Sequence, residues 1–101
     1  MLELRPNCEL CDRDLPPGAA EARICSYECT FCAACVEQVL HNVCPNCGGG
    51  FEPRPIRPEQ AWREGAGLVN DPPSTRRRQA RPRAEIAALA EHLRGVPPGE
   101  R

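Results

Sequence analysis

The chain has 101 residues, with 14 acidic side chains against 13 basic ones and a formal net charge of −1. That length holds one small domain, or a smaller one with a tail, and excludes a large self-sufficient apolar core. No stretch is long and apolar enough to span a bilayer, and Met1 to Pro6 lacks the basic start and apolar run of a signal peptide, so a cytoplasmic protein is expected.

In chain order, residues 1–7 read as an extended lead-in to Cys8 and Cys11, a C-x2-C pair. Residues 12–24, with Leu15-Pro16-Pro17-Gly18, read as a loop, followed by Cys25 and Cys29 (C-x3-C) and Cys32 and Cys35 (C-x2-C). A short helix is expected over 33–41, where Val36 and Leu40 share a face with Val39 beside them. Asn42-Val43 leads back to Cys44 and Cys47, and Gly48-Gly49-Gly50 closes the cysteine-bearing part.

Beyond it, Glu52–Pro58 is expected to be an extended, polyproline-like exit. Pro58 to Glu64 reads as a brief helix with Gly65 as its stop and Trp62 resting on the head. Asn70 to Arg83 reads as a linker, since three prolines interrupt it and no apolar period runs through it. Ile86, Leu89, Ala90 and Leu93 then recur at i, i+3, i+4 and i+7, which predicts a helix over 84–94 stopped by Gly95 and Pro97-Pro98. So short a helix is marginal alone and needs a surface to pack on, its own head or a second copy. The organisation is therefore a module at 1–52, a proline- and arginine-rich extension at 53–83, an amphipathic helix at 84–95 and a disordered tail at 96–101.

Charge divides along the same line. Residues 1–52 carry three arginines against eight acids, and residues 53–101 carry ten against six. An acidic head and a basic tail predict head–tail contact. Thirteen arginines without a lysine suggest a GC-rich, bacterial genome.

Eight cysteines in four close pairs point to metal. Two such pairs complete a tetrahedral four-thiolate site, so eight cysteines read as two zinc ions. A structural zinc is worth about 10–16 kcal/mol to a small finger, enough to replace a missing core. Disulfides are the lesser reading for a reducing compartment. An iron–sulfur cluster is the alternative cofactor, because Cys29, Cys32 and Cys35 followed by Cys44-Pro45 approach a bacterial ferredoxin run, though the gap before Cys44 is too long. His41, three residues before Cys44, reads as an exposed helix-end side chain rather than a ligand.

From Cys25 to Cys47 the chain resembles a RING finger. Cys29-Thr30-Phe31-Cys32 stands where that family has its H-x-F-C segment, Leu10 lies between the first two ligands, and Cys44-Pro45-Asn46-Cys47 matches the closing C-P-x-C. The resemblance implies a cross-brace: Cys8, Cys11, Cys32 and Cys35 at site one, Cys25, Cys29, Cys44 and Cys47 at site two. Spacing alone leaves sequential pairing open, since loop closure costs grow only logarithmically. The opening Met1-Leu2-Glu3-Leu4-Arg5-Pro6-Asn7-Cys8-Glu9 and the run Ile24 to Ala33 are also similar to a family of short bacterial cysteine-rich proteins of unknown function.

The expected fold is thus a small zinc-stabilised α+β, RING-like cross-brace with one short helix, little regular sheet and a proline-rich tail ending in a helix. Closed thiolate sites leave no open coordination position and no spare cysteine, and His41 and His92 stand in separate segments, so no enzyme is expected. The expected function is a non-catalytic protein-interaction module with purely structural zinc, its partner meeting Leu10, Val39, Leu40 and Pro45. Two alternatives stand beside it. One is nucleic-acid binding with Arg76, Arg77, Arg78, Arg81 and Arg83 on phosphates. The other is a ubiquitin-ligase-type RING docking on the same apolar groove, which Gly48 and Gly49 after the last cysteine, in place of a basic residue, make less fitting.

Overall fold

The computed structural model describes residues 1–101. Three short strands form one antiparallel sheet: β1 (Ala22–Ile24), β2 (Thr30–Cys32) and β3 (Glu52–Pro53), in the order β2-β1-β3. Cys25 to Cys29 is the hairpin turn between β1 and β2. It closes through Cys25 N–H to the Cys29 carbonyl at 3.2 Å and Glu28 N–H to the Cys25 carbonyl at 3.0 Å, with Glu28 left-handed at φ 67°. The C-x3-C pair thereby owes its place to strand pairing. Residues 22–24 are strand rather than the loop expected of 12–24.

Helix α1 (Ala33–Cys35) follows β2 without a break and continues as a wider π-helical turn over Val36–Leu40. His41 and Asn42, both left-handed, end it, and Asn42 N–H reaches back to the Val36 carbonyl at 3.1 Å. The extra residue in this turn buries Leu40 and leads Val43 and Cys44 inward. Phe31 from β2 meets Phe51 edge to face, ring centres 5.5 Å apart, and Leu4, Leu15 and Leu40 complete the apolar centre.

A buried polar lattice ties the cysteine pairs together. Glu9, between Cys8 and Cys11, accepts from Arg5 Nη1 at 2.8 Å and from Thr30 N–H at 2.6 Å, while its own N–H donates to the Thr30 carbonyl. Arg5 is opposed in its charge by burial, yet the carboxylates of Glu9 and Glu3 outweigh that and raise its pKa. Arg54, 4% exposed, has no carboxylate partner: it donates to the carbonyls of Arg5, Leu15 and Pro16, fastening the exit from β3 across the N-terminal segments.

The tail departs from its expected form in several places. Pro58 to Glu64 is not helical; residues 58–70 form a loop closed by Leu68 N–H to the Pro58 carbonyl at 2.9 Å. Trp62 is 71% exposed rather than docked, because the segment has caps but no apolar face to hold it down. Residues 70–82, which read as a linker, run along the head: Ser74 N–H donates to the Leu4 carbonyl, Gln79 N–H to the Glu9 carbonyl, and Asn7 bonds both the N–H and the carbonyl of Arg77.

Helix α2 (Arg83–Leu93) then packs on the Val36–Leu40 turn, with Ile86 and Ala90 each 2% exposed. The expected head–tail contact is therefore made within one chain. Residues 96–101, expected to be disordered, include a 3-10 turn (Pro98–Glu100), and Arg101 Nη1 donates to the carbonyls of Asn42 and Gly48. No helix is long and apolar enough to cross a membrane.

Candidate metal centre

The two C-x2-C turns at the ends of the head share one geometry. Asp12 N–H donates to the Cys8 carbonyl at 2.9 Å, and Gly48 N–H to the Cys44 carbonyl at 2.8 Å; Asp12 (φ 66°) and Gly48 (φ 79°) both take the left-handed conformation just after the second cysteine. Each turn presents two sulfurs on one side. Asn7 Nδ2 holds the Asp12 carboxylate at 2.9 Å, which suits a non-glycine residue to that position.

The sulfurs of Cys8, Cys11, Cys32 and Cys35 all lie within 4.8 Å of one another. Cys25, Cys44 and Cys47 form a second such set. Cys29 lies outside that set, though its thiol is near enough to those of Cys25 and Cys44 to perturb both. Pair one therefore joins pair three, and pair two joins pair four. Sequential pairing, which spacing left open, is not what the chain adopts. All eight cysteines are free thiols.

The donor set suits a soft tetrahedral metal. Four thiolates at about 2.3 Å from a zinc would stand roughly 3.8 Å apart, and the Cys11 and Cys32 sulfurs are 3.7 Å apart. Six of the eight cysteines are buried; Cys11 and Cys47 are the exposed member of each site. The ferredoxin-like run is divided, with Cys32 and Cys35 at one site and Cys44 at the other, so these residues do not assemble a single cluster.

Proton sharing among the thiols shows what gathering four thiolates would take. Hydrogen bonds from the thiols of Cys29 and Cys44 lower Cys25 to about 3. The same contacts, with burial, push Cys44 far up. At site one, burial raises Cys8 and Cys35. Cys11, though opposed by desolvation, is lowered by the Arg13 N–H and its neighbouring thiols. Each cluster left to itself thus keeps some of its thiols protonated, and gathering four thiolates requires a bound cation to neutralise them.

N–H donors face the sulfurs: Cys11 N–H to Cys8 (3.5 Å), Tyr27 N–H to Cys25 (3.3 Å), Gly49 N–H to Cys47 (3.4 Å) and Asn46 Nδ2 to Cys29 (3.4 Å). Asn46, inside the closing C-P-N-C, is a contributor that sequence reasoning passed over. Its place between two ligands was the available signal.

The other candidate residues fare differently. Leu40 and Pro45 are buried, and a cleft runs between Pro45 and the α2 residues Leu89 and His92, so two of the four residues of the expected groove do not reach the surface. Leu10 and Val39 pack partly buried against the core. The arginine run is exposed but partly paired: Arg76 pairs with Asp12 (2.8 Å) and Asp14 (2.6 Å), Arg78 with Asp12 (3.3 Å), and Arg81 with Glu85 (3.0 Å). Arg77 and Arg83 form no ion pair. His41 and His92 line separate clefts.

Comparison with known proteins agrees with the bacterial, cysteine-rich resemblance. The family described as "Protein of unknown function (DUF1272)" matches residues 1–57, the cysteine-bearing head and the exit strand. An uncharacterized protein of Rhizobium meliloti (strain 1021) is 64% identical over 58 residues, covering 57% of this chain and 69% of its own length. No solved structure matches the chain.

Proposed function

We propose that this chain, which belongs to the DUF1272 family, is a non-catalytic, RING-like module of the bacterial cytoplasm that holds two structural zinc ions and serves protein–protein interaction. The observation that carries the reading is the cross-braced placement of the cysteines, site one within a 4.8 Å set and site two built around another. Cys8, Cys11, Cys32 and Cys35 would hold one ion, and Cys25, Cys29, Cys44 and Cys47 the other. Zinc in these sites supplies folding energy; four thiolates around it leave no position for substrate. Separate histidines and the lack of a spare thiol support a role without chemistry.

The partner surface is better sought on the 58–70 loop than on the half-buried groove. Trp62 there is 71% exposed, with Val69 at 67% and Ile56 at 60% nearby in sequence. Tryptophan is a frequent anchor of protein interfaces. Nucleic-acid binding is the weaker reading, since Arg76, Arg78 and Arg81 are engaged by carboxylates. A ligase-type role is weaker still, because Leu40 and Pro45 of the groove that docking needs are buried.

Two measurements test the proposal. Chelation of the purified protein should abolish its near-ultraviolet circular dichroism, and returning Zn²⁺ should restore it; an unchanged spectrum sinks the structural-metal reading. A bacterial protein that co-purifies with wild type and is lost with Trp62→Ala, while zinc content stays equal, supports the interaction reading. Retention of the same partner by the variant removes Trp62 from it.

A further inference from the structure

The tail reaches one metal site through a single side chain. Asn46 donates from Nδ2 to the Cys29 sulfur at 3.4 Å. Its Oδ1 accepts from Gln79 Nε2 at 3.1 Å and from Arg81 Nε at 3.2 Å. With both lone-pair directions of Oδ1 taken, the amide is fixed with its NH₂ toward the thiol. Around this relay the tail closes on the closing turn of site two. Ile86 lies in the core cluster that holds Cys25, Cys29 and Cys44 of this site, together with Cys8, Cys32 and Cys35 of the other. Leu93 lies so near Gly48 that a Cβ there would meet its Cδ1 at 3.1 Å, and a Cβ on Gly50 would meet Pro98 at 2.9 Å. Arg101 bonds the Gly48 carbonyl at 2.9 Å. Gly48 and Gly50 are thus the seat of the tail, which accounts for the missing basic residue after the last cysteine.

Site one has no counterpart. The tail meets its turn through Arg76 and Arg78 on Asp12, through the Gln79 N–H on the Glu9 carbonyl and through Asn7 on the Arg77 backbone, and no side chain that the tail holds there donates to a sulfur.

We infer that residues 79–101 are a latch on site two: Gln79 and Arg81 position Asn46 on the Cys29 sulfur, so tail docking and metal retention at site two are linked while site one holds its metal independently. The inference rests on the metal-binding reading above. The physics is that of outer-shell support, in which a group that orients or hydrogen-bonds a ligand contributes 10–100-fold to metal affinity. A four-thiolate zinc carries a formal −2, so a bound metal also favours keeping the Arg81 cation close. Linkage is reciprocal: what the docked tail gives the metal, the metal gives the tail.

Cys11 and Cys47, the exposed cysteine of each site, report the two sites separately. The full-length, zinc-loaded chain is challenged with a chelator and a thiol-alkylating reagent, and labelling at each cysteine is followed by mass spectrometry. In the Gln79→Ala/Arg81→Ala variant, Cys47 should label about tenfold or more faster, with Cys11 at the wild-type rate. Asn46→Asp keeps the acceptors for Gln79 and Arg81 but removes the donor to Cys29. It should speed Cys47 labelling while amide exchange in α2 stays slow, a split that general loosening does not produce. Arg83→Ala, at an exposed position without an ion pair, should change neither. Wild-type rates at Cys47 in both test variants, or equal acceleration at Cys11 and Cys47, overturns the latch with the metal reading intact. A wild-type chain that holds no metal and labels at once at both cysteines overturns the metal reading and the latch with it.

Discussion

Ile86→Ala isolates the docking of α2. Ile86 is 2% exposed and lies in the core cluster beside Leu40, Phe51 and six buried cysteines of the two sites. The substitution removes three carbon groups, each worth about 0.8 kcal/mol on burial, or about 2.4 kcal/mol before any cavity penalty. Ala90 is the other fully buried side chain of the helix, and eleven residues are too few for α2 to persist in water unaided. The head keeps its strand pairs, its Arg5–Glu9–Thr30 lattice and its cysteine sites, none of which includes Ile86 as a hydrogen-bonding partner. The loss should therefore fall on local opening of the tail. At about 1.4 kcal/mol per tenfold, amide exchange across Arg83–Leu93 should quicken about 50-fold. Native-state hydrogen exchange with peptide-level mass spectrometry reads this directly, with β1, β2 and α1 as internal controls. Unchanged protection over Arg83–Leu93 would refute the claim that this helix is held by its docked face. An equal loss in head and tail would refute the claim that it opens on its own.

Other expectations follow from the same contacts. Glu9→Ala strips the carboxylate from buried Arg5 and Thr30 N–H; removing one partner of a buried pair costs about 3–5 kcal/mol, which thermal unfolding of the zinc-loaded protein should show as a lower midpoint, whereas an unchanged midpoint would mean that water replaces the lattice without loss. Gly50→Ala places a Cβ 2.9 Å from the stiff ring of Pro98, so exchange should rise over 96–101 with the metal content unaltered; no change there would mean that the terminal turn is not seated on the glycines. Acidification protonates the thiolates and releases metal, because ligation requires the deprotonated sulfurs; zinc retention that is indifferent to pH down to about 4 would contradict thiolate ligation. Changing Arg76, Arg77 and Arg78 together to Ala should leave duplex DNA binding at low salt as weak as in wild type; a steep loss would revive the phosphate reading.

How far the sequence foretells this molecule depends on the range of the interaction. The C-x2-C turns, the helix beginning at Ala33 and the i, i+3, i+4, i+7 stripe of α2 are local patterns, and each is found within a residue or two of its expected bounds. The cross-brace came from likeness to a known finger, because loop-closure entropy discriminates too little between pairings. What α2 covers was not legible. An apolar stripe says that a helix needs a surface and leaves open which one, and nothing local tells that Leu40 and Pro45, expected in an open groove, are buried. The arginine run has the same explanation. Its carboxylate partners Asp12 and Asp14 stand more than sixty positions away, beyond any local pattern. Pro58 to Glu64 misled in the opposite way: favourable helix ends enclose a segment with no periodic apolar face, and the backbone instead closes on itself at Gly67, whose φ of 82° and contact with the Gln60 carbonyl exclude a side chain.

Metal content per chain, determined by elemental analysis together with an absorption spectrum of protein purified without added metal, tests the central claim most directly. Two zinc ions per chain in a colourless solution, with all eight thiols recovered after chelation, are the predicted result. Iron with visible charge-transfer bands, or a metal-free folded chain, would contradict it.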